Sequence, residues 1–122
     1  VFQMSDYKLG AMELRFADLI WHNEPISSGE LVKLCAEELE WKKSTTYTML
    51  KRLCNRGIFQ NNHSVVSSLL SKDAFLALQS EAFVAETFDG SLPRFLAAFT
   101  SRTKLSDQEI DQLHQLIDQN RR

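Results

Sequence analysis

The chain has 122 residues, 43% of them hydrophobic, which is enough to bury the core of one domain or of one domain with a small appendage. Its formal net charge is −2, from Lys+Arg 14 against Asp+Glu 16, so any partner of strong charge must meet a local patch and not the whole surface. No apolar run approaches the roughly 18 residues that cross a membrane, the N-terminus lacks a signal peptide's apolar core, and Cys35 and Cys54 are too few for a disulfide scaffold or a zinc site. The expectation is a reducing cytoplasm, with both cysteines as buried free thiols.

The first helix is predicted over Ala11–His22, with Met12, Phe16, Leu19 and Ile20 as its apolar stripe. Gly10 serves as its N-cap with Glu13 at the third helical position, and Asn23-Glu24-Pro25 ends it, because proline biases the preceding residue away from helix. Ser27-x-x-Glu30 is a capping box that opens a second helix, and Ile26 is placed to staple onto Leu31. Leu31, Leu34, Cys35 and Leu39 supply that helix's buried face. A third helix, over Ser44–Asn55 and closed by Gly57, has two unlike faces. Thr46, Met49, Leu50 and Leu53 fall at helical spacing toward a core. Ser44, Thr45, Tyr47, Thr48, Lys51, Arg52 and Asn55 face outward, and this mixture of hydroxyls, one aromatic and cations is what reads base edges and phosphates.

Beyond Gly57, Ile58-Phe59-Gln60 and Val65-Val66-Ser67 are β-prone runs around Asn61-Asn62-His63, a turn that asparagine's tolerance of left-handed backbone favours. Three helices and then a hairpin is the order of a winged helix-turn-helix domain. Helices follow over Asp73–Phe88, ended by Gly90, and over Leu92–Ser101. A second capping box, Ser106-x-x-Glu109, with Leu105 placed to staple to Ile110, opens a final helix that runs to Gln119. These three helices are apolar on one side but too few to enclose a core of their own. Burial of Phe83, Phe95, Leu96, Phe99, Ile110, Leu113, Leu116 and Ile117 against a second copy accounts for them; packing back onto the winged domain is the alternative. The predicted fold is therefore mainly α with a small β-hairpin: a winged helix-turn-helix DNA-binding domain over residues 5–71 and a C-terminal helical dimerisation region over residues 72–122.

Charge is unevenly spread. Residues 1–40 carry three cations and eight acids, and residues 73–122 five cations and eight acids. Between them Lys42, Lys43, Lys51, Arg52, Arg56 and Lys72 stand with no acid. Counterion release depends on the patch that meets the phosphates, so the distribution favours DNA where the total does not; a chance cluster on a solvated face is the plainer account. An enzyme is not indicated. His22, His63 and His114 fall on separate elements, and no phosphate loop, nucleophile motif, metal-ligand set or cofactor motif is present.

Three segments carry a resemblance. Leu9-Gly10-Ala11-Met12-Glu13 through Leu19-Ile20-Trp21 opens the chain's first helix; Glu40-Trp41 precedes Thr45, Thr48, Arg52-Leu53 and Gly57; and Leu105-Ser106-Asp107-Gln108-Glu109-Ile110 starts the last helix. In this order and at these separations they resemble the BlaI/MecI/CopY penicillinase-repressor family, winged-helix bacterial repressors that bind operator DNA as dimers. The resemblance implies a homodimer on double-stranded, palindromic operator DNA, with Ser44, Thr45, Tyr47, Thr48 and Arg52 at positions that touch DNA in the family. Trp41 reads as a core anchor between the second and third helices. Where the family usually has Ser-Pro, this chain has Lys42-Lys43: either these two meet phosphates, or they are exposed lysines with Ser44 as the actual cap. The hairpin tip Asn61-Asn62-His63-Ser64 lacks the family's positive charge, and the chain's end lacks the cysteine-rich tail of the copper-responsive branch. The β-lactam branch is cleaved by a sensor protease at an Asn-Phe bond whose counterpart here is Ala98-Phe99. The alternative to a repressor is a winged-helix protein-interaction module with only weak nonspecific DNA binding, which the uncharged wing favours.

Overall fold

The computed structural model of the chain describes residues 7–121. In chain order it forms α1 (Ala11–Asn23), β1 (Ile26–Ser27), α2 (Ser28–Leu39), α3 (Lys43–Asn55), β2 (Phe59–Asn62), β3 (Val65–Ser68), α4 (Lys72–Thr87), α5 (Leu92–Arg102) and α6 (Asp107–Gln119). This is the predicted architecture, a winged helix domain followed by a helical region. The first residues of the predicted 5–71 unit and the last of the 72–122 unit lie outside the described residues.

The first helix begins as predicted. Glu13 turns back so that its Oε1 accepts the Gly10 N–H at 3.1 Å, although glycine offers no side chain in return. Phe16, Ala17 and Ile20 are buried. Met12 was expected in the same stripe but is 42% exposed. The core packs against the 16–17–20 edge, and Met12 lies one turn nearer the N-terminus, with its sulfur 3.9 Å from the Arg15 guanidinium. Glu24, just before Pro25, is extended and ends the helix. Its carboxylate then accepts from the Ser68 N–H at 2.8 Å and from the Ser68 hydroxyl at 2.8 and 2.9 Å.

That link brings the chain past β3, and Ile26 does more than staple a helix. It pairs with Val66, and Ser27 with Val65, making the hairpin into a three-stranded antiparallel sheet of order β1-β3-β2. A strand of two residues is too short to leave a period-two pattern, so the sequence gives no sign of it. The Ser27 hydroxyl accepts the Glu30 N–H at 3.1 Å and caps α2, which is the serine half of the predicted capping box.

The third helix starts at Lys43, one residue earlier than predicted, and its N-cap Lys42 provides no side-chain acceptor. Ser44 is therefore inside the helix and is not its cap. Trp41 anchors the connection instead: its ring lies 5.3 Å from that of Phe16, and the Lys42 carbonyl accepts from the Thr46 N–H at 3.1 Å. At the other end Gly57 adopts φ +80°, a left-handed conformation that costs glycine nothing, and Ile58 N–H returns to the Leu53 carbonyl at 3.1 Å.

The wing's turn also moves. Asn61 and Asn62 belong to β2, and the two-residue turn is His63-Ser64, at φ 50° and 68°, closed by the pair Asn62↔Val65. Positive φ at both central residues is a primed turn, whose twist suits a hairpin. Its place is set by register: Phe59 and Val66 must both be buried, which fixes Phe59 opposite Ser68 and Val66 opposite Asn61.

The core joins Phe16, Ile20, Leu31, Leu53, Ile58, Phe59, Val66 and Phe75, all fully buried. Phe75 belongs to α4, so the first turns of the C-terminal region are part of the winged domain's interior. Trp21 lies between them, its ring 5.4 Å from Phe59 and 5.7 Å from Phe75. Its Nε1 donates to the Leu70 carbonyl at 3.0 Å, and Lys72 pairs with Asp18 at 2.9 Å. Cys35 is buried as expected, but Cys54 is only half-buried; both thiols are free, and burial pushes both up from the usual thiol range. Phe75→Ala is expected to cost about 3–5 kcal/mol in denaturant unfolding, as for a buried core aromatic, and to lower the transition of the whole winged domain. A loss under about 1 kcal/mol would mean that α4 is not integral to that core.

Candidate nucleic-acid interface

Burial of Thr46, Leu50 and Leu53 fixes how α3 is turned. At 100° per residue the opposite side centres on Ser44, Thr48, Lys51 and Asn55, all exposed. Thr45 and Arg52 lie along one flank and Tyr47 along the other, also exposed. Each residue that the sequence predicts for this face is on it, but the flanks are not free.

On Tyr47's flank, the phenolic O–H lies 3.4 Å from the Ser28 hydroxyl, and Lys43 Nζ stands 6.0 Å from the ring centroid. Ser28 is a node that sequence reading missed. It is buried at the first position of α2, and its N–H donates to the Ser64 carbonyl in the wing's turn at 2.8 Å. One serine thus joins α2, α3 and the wing. In the sequence it is only the second serine after a cap, without a periodic signal of its own.

On the other flank, Arg52 faces Glu13 of α1 at 3.7 Å, and Arg56 faces the same carboxylate oxygen at 3.8 Å. Arg56 also donates to the Lys8 carbonyl at 3.1 Å. The basic segment is therefore less uniform than its sequence. Arg52, Arg56 and Lys72 are matched by acids of α1, whereas among the described residues Lys42, Lys43 and Lys51 have no acidic partner. These three lie at the start of α3 and on its outward side. The first turn of α3 holds no acid and no capping side chain, and Lys42 and Lys43 stand exposed beside it. Helix N-termini of this kind favour anions. The wing differs: from Gly57 to Ser71 there is no Asp, Glu, Lys or Arg.

The C-terminal helices present a different surface. Neither α5 nor α6 has a buried residue. Phe83, Phe88 and Phe95 form a cluster of edge-on rings at 5.6–6.1 Å, and Phe95 passes on to Phe99 at 6.1 Å. Phe95, Leu96, Phe99, Leu113 and Leu116 line an open apolar groove between α5 and α6. Phe99 is 46%, Leu116 56% and Ile117 49% exposed, with Phe83 and Ile110 not far below. Ala98 is exposed, and the Ala98-Phe99 bond lies within the helical part of α5, where the Phe99 carbonyl accepts from the Thr103 N–H at 3.0 Å.

The sequence profile of the penicillinase repressor family matches residues 9–119, from just ahead of α1 to the end of α6. The chain belongs to this family. Among its relatives, the penicillinase repressor of Bacillus licheniformis is 26% identical over 98% of this chain and 92% of its own length. The methicillin resistance regulatory protein MecI of Staphylococcus aureus is 21% identical over 91% of this chain and 94% of its own length. The family is one of transcriptional repressors and not of enzymes, and transcriptional repression is the function class of this chain. No helix among the described residues is long and apolar enough to cross a membrane.

Proposed function

We propose that the chain represses transcription as a homodimer bound to a palindromic operator, each protomer seating α3 in a major groove. The observation that carries this reading is the outward side of α3, where Ser44, Thr48, Lys51 and Asn55 stand exposed and where, among the described residues, Lys51 and the neighbouring Lys42 and Lys43 have no acidic partner. In this reading Thr48 and Ser44 bond base edges or phosphates, Lys51 meets a phosphate or a guanine, and Lys42 and Lys43 meet phosphates at the uncapped start of the helix. Thr45 and Arg52 extend the contact along one flank. Tyr47 packs against a thymine methyl or bonds a phosphate, its ring steadied by Ser28. The winged domain, residues 5–71, binds DNA, and the region over residues 72–122 dimerises. Major-groove docking by a dimer sets the two half-sites about one helical turn or a multiple of it apart.

The reading of the C-terminal region as a dimer interface rests on its exposed apolar side: an exposed patch of Phe99, Ile110, Leu116 and Ile117 beside a groove is unusual on a monomer. Phe83, Phe95, Leu96 and Leu113 complete it. A sensor protease that cleaves Ala98-Phe99 would separate α6 from the winged domain and with it Phe99, Ile110, Leu113, Leu116 and Ile117, five of these eight residues. The wing without formal charge favours one other reading, a protein-interaction module, in which duplex binding is weak and indifferent to sequence.

Fluorescence anisotropy with duplex DNA from upstream of the gene, against a scrambled duplex at two salt concentrations, tests the main reading. Tighter binding to the upstream duplex at two protomers per site is expected. Lys51→Ala should weaken both duplexes alike and lower the salt slope by about one ion. Thr48→Ala should change which duplex is preferred. If neither variant differs from the wild type, α3 is not the reading helix. In sedimentation, Leu116→Asp should shift the dimer to monomer while the winged domain's thermal transition is retained; a dimer of unchanged affinity rejects the assigned interface. Incubation with an activated sensor protease should give fragments ending at Ala98 and beginning at Phe99 by mass, and an intact chain rejects this route of release.

A further inference from the structure

Glu13 does more than cap a helix. It is only 18% exposed on its side chain, and its two carboxylate oxygens have different tasks. Oε1 accepts the Gly10 N–H at 3.1 Å. Oε2 is shielded from solvent and accepts no hydrogen bond; its partners are the guanidinium groups of Arg52 and Arg56, at 3.7 and 3.8 Å. Both distances exceed a direct charge-assisted hydrogen bond, which is about 2.7–2.9 Å. One anion is thus shared between two cations, and neither is locked to it.

The two cations are not equivalent. Arg56 is fixed a second time, through the Lys8 carbonyl, and its side chain is 31% exposed. Arg52 is 50% exposed, its side chain has no partner other than Glu13 among the described residues, and it lies on the flank of α3 next to Thr48 and Thr45. If Arg52 turns toward a phosphate, Arg56 stays behind to balance the carboxylate. The carboxylate that would otherwise be left buried and uncompensated keeps a counter-ion, so releasing Arg52 is not prohibitive.

We propose that Glu13 is a positioning residue that competes with DNA phosphates for Arg52, holding it against α1 in the free protein and so lowering affinity for any duplex. The proposal rests on the reading of α3 as the DNA-binding helix. It makes α1, which would not itself enter the groove, a determinant of binding strength. It also separates Arg52 from Lys51. Lysine 51 offers its charge to DNA freely, whereas the charge of Arg52 is already matched, so binding exchanges one anionic partner for another and releases less salt-dependent free energy.

The test is a double-mutant cycle on Glu13 and Arg52, read by anisotropy against upstream and scrambled duplexes over a salt series. Glu13→Gln keeps an acceptor for the Gly10 N–H and removes only the charge. It is expected to tighten both duplexes about two- to five-fold, the equilibrium equivalent of a half-exposed ion pair, and to steepen the salt slope by up to about one ion. In the Arg52→Ala background the same change should do neither. A Glu13→Gln effect of equal size with and without Arg52 overturns the proposal, because it would then be a general gain of positive charge. A weakening by Glu13→Gln also overturns it; thermal unfolding of each variant, at equal folded fraction, separates such a loss from unfolding. If Arg52→Ala leaves binding unchanged while Lys51→Ala weakens it, Arg52 is no contact: the proposal fails and the DNA-binding reading stands. If the wild type binds neither duplex, both fail together.

Discussion

The burial of Phe59 and Phe75 on either side of Trp21 is the constraint on which the remaining geometry depends. Phe59 begins the wing, Phe75 sits in the first turn of the C-terminal region, and Trp21 closes α1; their rings meet at 5.4 and 5.7 Å. Because both phenylalanines are fully buried, the wing cannot slip in register and α4 cannot swing away from the winged domain without opening the core. The indole N–H satisfies the Leu70 carbonyl in the segment between β3 and α4, so the polar group buried with the ring is also matched. The cluster thereby holds α1, the wing and the start of α4 to one core.

Around the core, the polar surface is divided by what each charge already touches. Acids on α1 match the arginines at the far flank of α3 and the lysine that opens α4. The lysines that have no acidic partner among the described residues, Lys42, Lys43 and Lys51, stand at the start and on the outer side of α3. The two lysines at the helix start oppose the macrodipole, at about 0.3–1 kcal/mol each, and no capping side chain offsets them. A helix start with free N–H groups and no acid is suited to anions. The wing, tied to α2 by Ser28 and Ser64 but empty of formal charge, adds shape to this surface and little electrostatic attraction.

The C-terminal arm follows a different principle. Its helices are well formed on their own: Ser91 and Ser106 cap them, and Glu109 completes the capping box at Ser106. Four phenylalanines pack on one another without a single residue of α5 or α6 being buried, so the arm's apolar side is satisfied only in part within one chain.

The sequence by itself determined the helices, the caps at Gly10, Ser27 and Ser106, the winged order and the outward side of α3, because these rest on spacing and on contacts within a few residues. The pattern Thr46, Leu50, Leu53 fixes which side of α3 is inward whatever it packs against. Tertiary structure decided what depends on residues far apart. Ile26 became a strand because Val66 lay opposite it, forty residues on, and a two-residue strand has no period to read. The wing's turn moved to His63-Ser64 because the burial of Phe59 and Val66 fixed the register, overriding the preference of asparagine for turns. Arg52 and Lys51 are neighbours with like charge in the sequence, and only the approach of α1 makes Arg52 half-matched, while Lys51 has no acidic partner among the described residues. Local chemistry is legible where the partner is a few residues away; charge matching across a fold is not, because it is set by which helices the core brings together.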